Sequence, residues 1–295
     1  MPSNTSLPRY LCPGSTLTFR HLQYGDMRAT VLPFSADVQS TCPVVLIKLK
    51  QAPLGCPMRV DTSYIVKIFD PRFYHPESMP WDSATEAAAA RTHNGHFQFN
   101  PKRPPSMLQV DYEEDKVEFE AQLFHYLAWL HHNECLAYKY LAPLQGSVVP
   151  RLYGAGTLDL SATTPPRAIS PFVIFVEYIP NAISASAIDA RRMTAPLLRA
   201  IVDTGEVLRS SGVIHCDANL ANFLLVPAHD PTRVVVLDFA EAYTREAVQD
   251  DDAWQLALCE YDPVWARKVQ LRNKLEKAGL KMPDDIEPRQ PAIPS

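Results

Sequence analysis

No apolar run in this chain is long enough to span a bilayer, so no membrane-crossing helix is expected. Positive charge is not in excess either. The 28 Lys and Arg face 33 Asp and Glu, and the net charge of −5 argues against a nucleic-acid or anionic-membrane binder. The six cysteines, at positions 12, 42, 56, 135, 216 and 259, lack both metal-ligand spacing and the paired repetition of a disulfide framework. They read as reduced thiols of an intracellular protein, cytoplasmic or nuclear, and residues 1–13 lack the charged start and apolar block of a signal peptide. Glycine is sparse at the start. The first thirty-odd residues hold only Gly14 and Gly25, with no G-x-G whose backbone amides could wrap a phosphate.

What the chain does have is 46% apolar residues, enough over 295 positions to bury the core of one two-lobed domain or two small ones. It also has two acidic motifs, each tied to an apolar run: His215-Cys216-Asp217-Ala218-Asn219-Leu220-Ala221-Asn222, then Leu237-Asp238-Phe239-Ala240. Asn222 follows Asp217 by five residues, and Asp238 follows Asn222 by sixteen. Phosphoryl transfer uses this spacing. One Asp accepts the proton of the attacking hydroxyl, an Asn five positions on holds a metal ion, and the Asp of a following Asp-Phe-Gly turn holds metal against the ATP phosphates. Phe223 to Val226 and Val234 to Leu237 read as strands, and a hairpin through residues 227–232 brings Asn222 and Asp238 together. Two oxygen ligands at one point suit magnesium, which leaves its other positions to phosphate and water. Taken singly, the same residues are ordinary turn caps and a strand end. Two linked motifs in order are what point to the chemistry.

At these residues the chain resembles the protein-kinase-like superfamily and, within it, the compact fungal-type proteins. Its arginine-less loop and short C-terminus are also similar to aminoglycoside and choline phosphotransferases. The resemblance covers most of residues 60–245. Tyr64 to Phe69 looks like the strand carrying a phosphate-binding Lys67, with Ile65 on the same face. Asn133 to Tyr138 and Leu144 to Gly154 look like the partner helix and its exit turn, and Phe172 to Ile179 like the strand and hinge that receive adenine. The resemblance implies an α+β, two-lobed fold: an N-terminal antiparallel sheet plus helix, then a reduced, mainly helical C-terminal lobe. It implies ATP and Mg²⁺ as cofactors, with Lys67 on the phosphates, Glu134 orienting Lys67, Asp217 as base, and Asn222 and Asp238 on metal. Ile65 and Leu224 then sandwich adenine, and backbone groups of Glu177, Tyr178 and Ile179 bind its edge. Glu118 and Glu120 stay open as alternatives to Glu134, because all three lie in one long helical pattern from about Asp111 to Leu141.

The pattern divides the chain into a flexible start at 1–14, an N-terminal part at 15–179 with an insertion near 71–105, a shortened helical part at 180–281, and a Pro-rich tail at 282–295. Strands are expected at Arg28 to Phe34, Val44 to Lys50 and Ser63 to Phe69. Helices are expected at Ser83 to Arg91, across Met193 to Leu208, and at Asp251 to Glu260 and Pro263 to Gly279. His125, His131 and His132 lack a companion ligand and are read as surface or packing residues.

Several features depart from regular protein kinases. Cys216 replaces the Arg that pairs with a phosphorylated loop, Ala240 replaces a Gly that would allow positive φ, and no Ala-Pro-Glu segment follows. The expected activity is therefore transfer of a γ-phosphate to a protein Ser/Thr or a small hydroxyl compound. The alternative is a pseudokinase that binds nucleotide or partners without catalysis.

Overall fold

A computed structural model of the chain describes residues 8–34, 42–74, 81–93, 114–165, 167–246, 250–261 and 263–288. Expectations for residues 1–7, for 75–80 and 94–105 of the insertion, for the helix start at 111–113 and for 289–295 of the tail lie outside them. The chain divides into two compact units, 1–135 with 152–178, and 136–151 with 179–295.

The first unit contains β1 (Thr16–His21), β2 (Gly25–Val31), β3 (Val44–Gln51), β4 (Ser63–Phe69), α1 (Ser83–His93), α2 (Lys116–Tyr140) as far as Cys135, β5 (Leu152–Asp159) and β6 (Phe172–Glu177). Alternation explains β4. Tyr64, Val66 and Ile68 enter the apolar core, while Ile65, Lys67 and Phe69 take the other face. The expected antiparallel sheet is present, but it closes into a six-stranded barrel in the order β1-β2-β3-β4-β6-β5. Closure depends on two glycines of β5. A Cβ on Gly154 would lie 2.2 Å from His21 Nε2, and one on Gly156 would lie 2.5 Å from the Arg20 carbonyl oxygen. Only glycine lets β5 approach β1 in the observed register of His21 opposite Gly156. Phe19 and Phe175 meet edge to face inside, with centroids 5.3 Å apart.

Helix α2 starts where the Asp115 carboxylate accepts from the Val117 and Glu118 amides, both at 3.0 Å. Phe119, Leu123, Leu127 and Leu130 recur at helical spacing and are buried. His131 is buried and stacked on Phe172 at 5.0 Å, and burial pushes its pKa down to about 4, in keeping with a packing role.

A buried ionic cluster fastens this unit. The Arg167 guanidinium donates to both oxygens of Asp70, at 2.8 and 3.0 Å, and its Nε donates to Glu86 Oε2 at 2.8 Å. Glu86 also accepts from Trp81 Nε1 and the Ala168 amide, both at 2.9 Å, and Arg167 lies over the Trp81 ring at 4.8 Å. Each charge meets an opposite charge and further hydrogen bonds, which is what makes a buried ion pair tolerable.

The second unit contains β7 (Ile183–Ser184), α3 (Ala195–Ser210), β8 (Val213–Ile214), β9 (Phe223–Val226), β10 (Arg233–Val236), β11 (Tyr243–Thr244), α4 (Asp251–Tyr261) and α5 (Pro263–Lys277). Thr194 caps α3, and Leu197, Leu198, Ile201, Val202 and Leu208 are buried along it. Gly212, at φ +77, turns the chain into β8 and so delivers it to His215. Strands β10, β9 and β7 form one small sheet, and β11 and β8 another. Among the described residues no helix is long and apolar enough to cross a membrane.

Candidate active site

In the barrel unit, Lys67 reaches Glu134. Its Nζ donates to Oε2 at 2.8 Å, with the two side chains 7% and 2% exposed. Little water is left to screen that attraction, and the ammonium also lies 5.4 Å from the Phe69 ring. Glu118 instead accepts from Gln122 at 3.0 Å, and Glu120 lines a cavity of about 220 Å³ together with Glu86. Ile65 is half-buried between buried Tyr64 and Val66, and Glu177, Tyr178 and Ile179 are half-buried where β6 ends.

In the second unit, one loop and one hairpin gather the acidic motifs. The Asp217 carboxylate accepts from the Asn219 amide at 2.9 Å through Oδ1, and from Asn222 Nδ2 at 2.8 Å through Oδ2. This fixes the loop and turns the Asn222 amide so that its Oδ1 remains available as a ligand. The hairpin pairs Phe223 with Val236, and the Leu237 amide donates to the Asn222 carbonyl at 2.8 Å. Asn222 and Asp238 therefore flank the same end of the hairpin. Leu224, half-buried between the fully buried Phe223 and Leu225, keeps part of its surface open.

Asp238 has φ +61, in the left-handed region that non-glycine residues rarely enter. The sequence motif places that freedom at position 240; the turn takes it at 238, and Ala240 is not among the residues with positive φ. The strain thus falls on a residue the sequence singles out for chemistry. Phe239 is fully buried, edge to face with His215 at 5.1 Å and with Tyr138 at 5.5 Å. His215 Nε2 donates to the Leu237 carbonyl at 2.8 Å, so the loop before Asp217 is tied to the strand before Asp238. Burial, then the charge of Arg267, pushes the His215 pKa down and keeps the ring neutral. Burial raises the Cys216 thiol to about 12, so it stays a thiol rather than a nucleophile.

Two buried arginines carry no signal in the sequence. Arg167 lies in a Pro/Thr/Ser stretch that reads as a plain loop, where no local pattern marks it. Arg267 lies in the middle of α5, fully buried, with none of its three nitrogens hydrogen-bonded among the described residues, and burial lowers its pKa to about 10. Its guanidinium lies over the ring of Phe223, the residue that follows Asn222, at 5.2 Å. Gly205 on α3 makes room for it, since a Cβ there would meet Arg267 Nη1 at 2.2 Å and Val264 Cγ2 at 2.9 Å. Gly205→Ala should therefore cost about 1–3 kcal/mol by overpacking. Arg267→Met in the same chain should recover part of that loss, a coupling that urea titration of the double-mutant cycle measures.

Among the described residues no group of three or more His, Cys, Asp and Glu side chains is placed to hold a metal ion. Asn222 and Asp238 would supply an amide oxygen and a carboxylate, hard oxygen ligands of the kind that magnesium takes alongside phosphate and water.

No family model matches the chain, and no curated protein matches it. Among solved structures it is similar to the crystal structure of a rhoptry kinase from Toxoplasma gondii, with TM-score 0.40 and 9% identity over 82% of this chain and 53% of that one. It is similar also to the BubR1 kinase domain, with TM-score 0.37 and 12% identity over 83% of this chain and 54% of that one. The chain thus spans about half the length of these kinase structures.

Proposed function

We propose that the chain is a two-lobed, protein-kinase-like phosphotransferase that uses ATP and Mg²⁺ to phosphorylate a hydroxyl on a protein Ser/Thr or a small molecule. The observation that carries this reading is the single loop and hairpin gathering Asp217, Asn222 and Asp238. The buried Lys67–Glu134 pair supports it, because an ammonium fixed in place by a carboxylate is suited to bind phosphate oxygens. Asp217 takes the proton of the acceptor hydroxyl. The hydroxyl oxygen bonds to the γ-phosphorus as the bond to the β–γ bridging oxygen breaks, and ADP leaves. Asn222 through Oδ1 and Asp238 through its carboxylate would hold Mg²⁺, which would neutralise phosphate charge. Ile65 and Leu224 serve the faces of adenine, and backbone groups of Glu177 to Ile179 its edge.

One observation favours the second reading, a nucleotide-binding or scaffolding pseudokinase. The β1–β2 turn is Leu22-Gln23-Tyr24, with Leu22 69% exposed, and offers no glycine-rich run of amides for phosphate. Thermal denaturation with ATP separates the phosphotransferase from a scaffold that binds no nucleotide, and ADP release separates it from a pseudokinase that binds nucleotide without turnover. A ligand bound only by the native state raises its melting temperature, so the phosphotransferase should be stabilised by millimolar ATP with Mg²⁺, and Asp238→Ala should lose the Mg²⁺-dependent part. No shift in the wild type would sink the phosphotransferase and leave the scaffold.

A further inference from the structure

The second unit carries an open groove of about 450 Å³ whose walls include Asp189, Asn219, Gln270, Asn273, Lys274 and Lys277. It belongs to the catalytic loop on one side. Asn219 forms part of its wall, and the Asn219 backbone amide donates to Asp217 Oδ1 at 2.9 Å, so the proposed base is one hydrogen bond from the groove. Asn219 Oδ1 is used inside the loop, accepting from the Ala221 amide at 3.0 Å, which leaves its Nδ2 to donate outward. Gln270 and Asn273 are exposed on α5 and add two more amides.

Charge in the groove is one-sided. Asp189 accepts from the Arg191 amide at 3.0 Å and has the Arg191 guanidinium 3.8 Å away, so its charge is already answered within its own turn. Lys274 donates to a neutral carbonyl, that of Ser186, at 2.8 Å, and Lys277 is exposed. Among the described residues, two ammonium groups thus line the groove without a carboxylate of their own, on a chain whose net charge is −5. Four or more hydrogen-bond donors and a positive excess beside a proton acceptor describe a cleft for a small anion that carries a hydroxyl.

We infer that this groove is the acceptor subsite, and that the acceptor is a small alcohol bearing a phosphate or carboxylate. The inference rests on the phosphotransferase reading and narrows its acceptor. The anionic group sits against Lys277 and the α5 amides, and the hydroxyl points past Asn219 to Asp217. The hydroxyl oxygen then bonds to the γ-phosphorus of ATP, its proton passes to the Asp217 carboxylate, and the bond to the bridging oxygen breaks to release ADP.

The test is calorimetric titration of the full chain with glycerol 3-phosphate, glycerate and glycerol, in the wild type, in Lys277→Glu and in the surface control Lys281→Glu, with MgATP titrated separately into each. The two anionic alcohols should bind the wild type at least about tenfold more tightly than glycerol, Lys277→Glu should abolish that preference, and Lys281→Glu should keep it. Equal binding of glycerol, or an undiminished preference in Lys277→Glu, overturns the inference, as does absence of binding by all three. If MgATP binds and the anionic alcohols do not, the groove assignment fails and the phosphotransferase reading stands. If the anionic alcohols bind and MgATP does not, the phosphotransferase reading fails and takes the acceptor role with it, leaving an anion site.

Discussion

On the proposed phosphotransferase reading, replacing Asp217 by Asn should lower phosphate transfer by about 10²–10⁴-fold, the range a positioned general base contributes. The substitution keeps the shape of the side chain, and its single remaining oxygen can still accept from the Asn219 amide, as Oδ1 does at 2.9 Å. What is lost is the site for the proton, together with the acceptor that Asn222 Nδ2 uses at 2.8 Å. The introduced carboxamide would face the Asn222 amide and set two donors against each other, so a secondary weakening of Mg²⁺-dependent nucleotide binding is expected. That weakening should be only several-fold, far smaller than the loss of turnover. ADP release at saturating MgATP, compared with the nucleotide-induced rise in melting temperature, separates the two. If ADP release falls no further than nucleotide binding does, Asp217 is a loop clasp and not a base.

Arg167→Leu should destabilise the chain by about 3–5 kcal/mol, because it leaves Asp70 and Glu86 buried without their cation. That is a large share of the roughly 5–15 kcal/mol that holds an ordinary domain together. Its pH dependence is a sharper check than its size. Burial acts on Asp70 to favour the neutral acid, but the hydrogen bonds and charge of Arg167, joined by Arg72, overcome it and hold the carboxyl below its usual range. A carboxyl depressed in the folded state contributes stability that is fully present above its unfolded value of about 3.9, and this is lost as pH falls through the folded value. In Arg167→Leu the burial effect is opposed only by Arg72 and the remaining hydrogen bonds, so Asp70 is easier to protonate in the folded variant than in the folded wild type. The deficit of the variant should therefore be largest near neutral pH and shrink as the solution is acidified. Urea midpoints measured from pH 7 to pH 3 give the result, and a deficit that stays constant with pH would show that Arg167 acts through packing alone.

Much of the local structure follows from short-range pattern. The alternation in Ser63–Phe69 sets which face Lys67 takes, and the β-branched run at Val234 to Val236 makes a strand that pairs with Phe223–Val226. A two-residue period constrains a strand wherever it lies in the fold, so such assignments need no tertiary knowledge. The five-residue step from Asp217 to Asn222 likewise belongs to one loop, closed by its own side chains. Element ends are less legible than element types. The helix expected across Met193 to Leu208 is Ala195–Ser210, and its boundaries are set by Thr194 and Gly212.

Long-range packing decided the rest. Three glutamates on one helix are open as partners of Lys67 in the sequence alone. The position of α2 against the outer face of β4 brings Glu134 to 2.8 Å, while Glu118 turns to Gln122. Barrel closure hangs on Gly154 and Gly156 meeting β1 across more than a hundred residues of chain. Arg167 finds its carboxylates 97 and 81 positions away, and Arg267 finds its space through a missing side chain at Gly205. The sequence by itself determined what each short segment is and which chemistry its polar residues suit, because periodicity and loop spacing act within a few residues. Only the tertiary structure decided which of those residues meet, because sheet register and helix packing join segments that no local pattern relates.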